Sequence, residues 1–104
     1  MGIFNKKKEY IVVTNMATNG VVREFAKEHC AEGCEIDVHV HGCLLEGDNL
    51  VTITFKSDME EAVVYSDLID RFMDPKKTEG EKYRFAIRRK LIFVFKNEEE
   101  NESE

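Results

Sequence analysis

The chain has no long apolar run. Nothing in its 104 residues approaches the roughly 18 consecutive apolar residues that a membrane-crossing helix needs. The lysine-rich opening, Met1 to Glu9, is not followed by the apolar segment of a secretory leader. Lys6 stands where a myristoylation motif beginning at Gly2 requires serine or threonine. Cysteine is scarce and odd in number, three in all. Together with the missing leader this points to free thiols and a cytoplasmic protein, with one disulfide plus a spare thiol as the other possibility. Cys30-x-x-x-Cys34 is not the redox spacing, and the carboxyl end of a helix disfavours a thiolate there. A phosphate loop is missing too, since Gly42 to Gly47 has no Lys-Ser/Thr and no helix after it. Glu35 and Asp37 share a strand face with His39, but an exposed edge supplies no concave site for acid–base work. The expectation is a protein that is not an enzyme and holds no cofactor.

What the chain does contain is charge, unevenly placed. Fifteen lysines and arginines against twenty-one acids give a net −6. All fifteen bases but only sixteen of the acids fall in residues 1–96. The other five, Glu98, Glu99, Glu100, Glu102 and Glu104, form an acidic end with nothing apolar to pack. Residues 1–96 are therefore expected to form one domain and 97–104 a disordered acidic tail. Inside the domain, Lys76 to Lys96 carries eight bases and two acids, while Glu24 to Asp48 carries one base and seven acids.

Side-chain rhythm orders the elements. Tyr10-Ile11-Val12-Val13-Thr14 is β-branched and aromatic, a strand. After a polar turn in which Thr18 or Asn19 could cap, Val21, Val22, Phe25, Ala26, His29 and Cys30 recur with helical period, and Gly33 ends the helix. Cys34, Ile36, Val38 and Val40 then alternate with Glu35, Asp37, His39 and His41, the pattern of a half-buried strand. A turn over 42–49 leads to a strand from Leu50 to Phe55, which should pair with its predecessor as an antiparallel hairpin. Ser57 and Glu60 read as a capping box for a second helix. Its apolar face is Met59, Ala62, Val63, Ser66, Ile69, Phe72 and Met73, and Pro75 stops it. Lys82 to Lys96 reads as one long last strand. Tyr83, Phe85, Ile87, Leu91, Phe93 and Phe95 share a parity that Arg89 interrupts, so a bulge is expected near Arg88–Lys90.

Six elements in the order βαββαβ, with two amphipathic helices needing the same sheet, predict an α+β ferredoxin-like split sandwich. Its sheet would be antiparallel, ordered 4-1-3-2, with both helices on one face. An open α+β sandwich whose terminal segment makes a hairpin is the other arrangement the pattern allows. The order also resembles that of RNA-recognition motif domains, which stack bases on aromatics of their first and third strands. Ile11-Val12-Val13-Thr14-Asn15-Met16 is similar in outline to their first-strand motif. Val12 stands where the stacking aromatic belongs, however, and Leu50, Thr52 and Thr54 give the third strand no platform.

Three places could carry function. The basic last strand, with Arg84, Arg88 and Lys90 on one parity, could hold phosphate or a carboxylate-rich partner. The run Leu91-Ile92-Phe93-Val94-Phe95 precedes the acidic end and needs cover, from Ile3 and Phe4, from a second subunit, or from a partner strand. This makes Ile92 and Val94 candidate interaction residues beside the three bases. His39-x-His41-x-Cys43 puts donors for zinc or a similar ion along one strand face. The reading is a small protein-binding domain, an adaptor, regulator or inhibitor, acting as a homodimer. A nucleic-acid-binding module using the basic strand and a metal-binding domain are the alternatives.

Overall fold

Asn15 ends the first strand and starts the first helix. Its backbone is extended (φ −115°, ψ 179°), and its side-chain oxygen accepts from the Thr18 amide at 3.1 Å. That satisfies one of the free donors at a helix start. In this computed structural model, which describes residues 7–42 and 49–96, the element order is β1 (Lys8–Asn15), α1 (Met16–His29), β2 (Asp37–His41), β3 (Leu50–Ser57), α2 (Glu61–Met73), β4 (Tyr83–Arg88) and β5 (Leu91–Lys96). Gly2, Ile3, Phe4, Cys43 and the acidic end lie outside the described residues. The cap is thus Asn15 rather than Thr18 or Asn19. Thr18 is fully buried, and its hydroxyl accepts from the Lys96 amide at 2.8 Å, which ties α1 to the end of β5.

The strands form one mixed sheet in the order β2-β3-β1-β5-β4, with both helices on one face in a ferredoxin-like split arrangement. β1–β3, β2–β3 and β4–β5 pair antiparallel, and β1–β5 pair parallel. The expected single last strand is two strands. Arg88 pairs with Leu91, leaving Arg89 and Lys90 as a two-residue turn with Arg89 at φ 59°. A turn of this length reverses the chain and resets the side-chain parity, so paired residues share a face. Arg89 breaks the pattern because the chain turns there, not because a strand bulges. β5 lies between β1 and β4, and β4 becomes the edge.

The core lies between helices and sheet. Tyr10 and Val12 of β1, Val51, Ile53 and Phe55 of β3, and Ile92 and Val94 of β5 meet Val22, Phe25 and Ala26 of α1 and Val64, Leu68 and Phe72 of α2. The α2 stripe is i, i+4, i+8, one step away from the expected face. Ser57 belongs to β3, and its hydroxyl accepts from Met59 N at 3.1 Å. The helix therefore starts at Glu61 without a side-chain cap. The shift leaves Met59, Val63, Ile69 and Met73 exposed. β2 is exposed along its whole length, including Val38 and Val40, because it is the edge that the helices do not reach. No helix among the described residues is long and apolar enough to cross a membrane.

Candidate binding face

β1, β3 and β5 each hide one parity under the helices and show the other, while the edge strand β2 is exposed on both. Pair registers align the shown residues into rows across the sheet. One row runs Asp37, Thr54, Ile11, Leu91, Arg88, and the next runs His39, Thr52, Val13, Phe93, Ala86. A third holds His41, Leu50 and Asn15 on one side, and Phe95 with Arg84 on the other. The middle of this face is apolar: Ile11 and Val13 from β1, Leu50 from β3, and Leu91, Phe93 and Phe95 from β5. Leu50 is 44% and Leu91 38% exposed, and the other four are half-buried.

The borders of the face are polar and differ in sign. On the β4 side, Arg84 and Arg88 are exposed, and the Arg84 guanidinium sits 5.8 Å from the centre of the Phe95 ring. Such a placement favours the cation over the ring face. Arg88, Arg89, Lys90, Leu91 and Phe93 line a shallow open depression at the turn. On the β2 side stand Asp37, His39 and His41, all exposed.

The interaction residues expected from the sequence separate here. Arg84 and Arg88 lie on the open face, and Lys90 lies in the turn beside them. Ile92 and Val94 do not belong with them. Both are fully buried against the helices, because the turn resets parity and points Leu91, Phe93 and Phe95 outward instead. β5 is also paired on both sides, so a partner cannot add a strand to it. Val12 is likewise a core residue, and Val13 holds the open position of β1. The open-face aromatics come from β5, a strand that a reading of 82–96 as one piece does not separate.

His39 and His41 do share a face, with ring centres 4.4 Å apart. His41 Nε2 lies 2.9 Å from the Thr52 hydroxyl. Among the described residues no three His, Cys, Asp or Glu side chains group to hold an ion, and Cys43 lies outside them. Cys30 and Cys34 are free thiols, with the Cys30 thiol donating to the Cys34 carbonyl at 3.3 Å.

A second titratable cluster joins the helices. His29, nearly buried, stacks on Phe25 with ring centres 4.0 Å apart. Its Nδ1 lies 3.0 Å from the Phe25 carbonyl oxygen and its Nε2 2.9 Å from the Asp67 carboxylate. Both partners are hydrogen-bond acceptors. Arg71–Glu28 and Lys77–Asp70 ion pairs flank this clasp. Burial and then the Glu61 carboxylate push the Tyr10 and Tyr65 hydroxyls above the ordinary value of 10.0. Comparison of the chain with protein-family models, with curated proteins and with solved structures found no match in any of the three.

Proposed function

We propose that this is a non-enzymatic protein-binding domain whose working surface is the open face of the sheet. The observation that carries the proposal is the apolar centre of that face, Ile11, Val13, Leu50, Leu91, Phe93 and Phe95, bordered by polar groups. An apolar middle inside a polar rim, with aromatics and arginine, is the make-up of a protein interface. Phe93, Phe95 and Arg84 are the residue types that anchor such contacts. The basic border sets the partner's chemistry: a polypeptide surface with an apolar centre and carboxylates beside it.

The same aromatics and arginines would suit single-stranded nucleic acid, where bases stack on rings and phosphates meet cations. The central strands weigh against it, since Val13 and Thr52 stand between the rings and the far edge and present no platform. The net −6 also opposes a polyanion at long range.

A photo-crosslinking amino acid at position 93, and separately at position 69 on the exposed stripe of α2, separates the readings in the cell that makes the protein. Crosslinks from 93 to an identified polypeptide, whether another protein or this one, with none to it from 69, support the proposal. Crosslinks from 93 to nucleic acid replace it with the alternative. An unreactive position 93, or identical products from both positions, overturns it.

A further inference from the structure

We infer that the partner this face fits is a second copy of the same chain, mated face to face about a two-fold axis along β1. The inference rests on the reading of the open face as a protein-binding surface.

The geometry leaves few ways for the face to meet itself. β1 is the middle strand of five, with β3 and β2 on one side and β5 and β4 on the other. A two-fold axis lying along β1 sets β1 on β1, β3 over the other copy's β5, and β2 over its β4. A two-fold axis across the strands would instead set β4 over β4 and β2 over β2. Charge distinguishes the two. Asp37 and Arg88 stand at opposite ends of one row of paired residues. The lengthwise axis brings Asp37 of each copy opposite Arg88 of the other, twice. The crosswise axis brings the Arg84 and Arg88 borders together, with the like-charge repulsion that selects against a wrong mate. Sheets pack about 10 Å apart, a gap that an arginine and an aspartate side chain span between them. The angle of about −30° between aligned sheets comes from their own twist.

The middle of the mated face is apolar on both sides. Ile11 and Val13 meet their own counterparts, and Leu91 and Phe93 lie over the Thr54 and Thr52 methyls. Five strands at about 4.8 Å by five residues at about 3.3 Å make a face of roughly 400 Å² in projection. Side chains standing on it present more than that, which places the contact at the low end of specific interfaces. The association is therefore to be sought at protein concentrations on the order of 10–500 μM, where even a weak pair is occupied.

Sedimentation velocity and equilibrium of the full chain over that range provide the test. The wild type is expected to pass from monomer to dimer with rising concentration. Phe93→Glu should abolish the shift, and Ile69→Glu should leave it unchanged. Asp37→Arg and Arg88→Asp should each weaken the dimer about tenfold, and the two together should restore it to within about threefold. Circular dichroism melts confirm that each variant is folded. A variant that does not fold is replaced by the milder Phe93→Ser, Asp37→Asn or Arg88→Gln. A wild type that stays monomeric to the top of the range overturns the second-copy assignment and leaves the proposed function standing if position 93 still crosslinks a different protein. A dimer lost on Phe93→Glu but not restored by the charge exchange overturns the lengthwise axis alone. A dimer indifferent to Phe93→Glu forms through another surface and overturns this inference, and the use of the open face falls with it only if position 93 crosslinks no polypeptide.

Discussion

Ile92 and Phe93 are neighbours in sequence and opposites in structure, so truncating each in turn tests the parity that the β4–β5 turn imposes. Ile92 is fully buried, registered with Val12 on one side and Ile87 on the other. Ile92→Ala removes three carbons from the core. At about 0.8 kcal/mol per buried methylene the transfer loss is about 2.4 kcal/mol, and the cavity left behind raises the cost to about 3–4 kcal/mol. A domain of this size has only about 5–15 kcal/mol in total, so the change consumes a large share of it. Phe93 stands on the open face and is half-buried. With part of its ring already in water, Phe93→Ala should cost about 1 kcal/mol in the monomer, well below the ~3–5 kcal/mol of a buried phenylalanine. Urea denaturation at a dilution that keeps every variant monomeric reads both, as shifts in midpoint at constant slope. The Ile92 variant should lose a large share of its midpoint and the Phe93 variant little. Equal losses, or a larger loss for Phe93→Ala, would refute the placement of the turn and with it the composition of the open face.

Other expectations follow from the same packing. Arg89 holds a positive φ of 59°, a conformation costing about 1–2 kcal/mol for a residue with a Cβ. Arg89→Gly should therefore raise the melting temperature by several degrees once glycine's own entropy loss is offset, and a fall would argue against the two-residue turn. His29→Ala removes a buried ring stacked on Phe25 and should cost about 2–3 kcal/mol. Asp67→Ala removes a half-exposed partner and should cost under about 1 kcal/mol, so denaturant midpoints that reverse this ranking would refute the clasp. The Tyr10 hydroxyl is buried with no hydrogen-bond partner among the described residues, so Tyr10→Phe should be neutral or stabilising at neutral pH. At high pH the sign is fixed: burial raises the folded-state values of Tyr10, Tyr65 and Tyr83 above 10.0. Their contribution is complete below 10.0 and is lost as pH climbs through those raised values. Tyrosinate absorbance should rise together with loss of circular dichroism, and Tyr10→Phe should blunt the alkaline loss.

The first three strands, the two helices and their order up to α2 are readable in the sequence. Val22, Phe25 and Ala26 keep a helical period, and Val38 and Val40 alternate with His39 and His41 as an extended segment does. The half-burial this alternation predicts is not found, because edge strand β2 is exposed throughout. Where the reading slipped, two signals competed. On α2, apolar residues occupy both the stripe Val64, Leu68, Phe72 and the stripe Met59, Val63, Ile69, Met73, so periodicity alone admits either face. Ser57-x-x-Glu60 has the spacing of a capping box, yet the β1–β3 ladder runs on to pair Ser57 with Lys8 and claims that residue for the strand. The β4–β5 turn was hidden because two-residue hairpins are marked by glycine or asparagine, and Arg89-Lys90 offers neither. The change from Ile87 to Leu91 as the next outwardly readable apolar position was the only trace, and a bulge gives a similar one.

That concealed turn has the largest consequence for function. Had 82–96 been one strand, its apolar run would have sat at the sheet edge, and Ile92 and Val94 would have faced outward with Arg84 and Arg88. Folding it in two puts β5 inside the sheet, where backbone pairing on both sides removes it as a template for another strand. Its five apolar residues are divided: Ile92 and Val94 complete the core, and Leu91, Phe93 and Phe95 furnish the open face. The arginines move out to the rim, and β1 becomes the middle strand, flanked by two strands on each side. A surface with an apolar middle and borders of unlike charge is the outcome of one reversal of the chain at Arg89. The strain held at that residue and the chemistry of the face beside it therefore have a common origin.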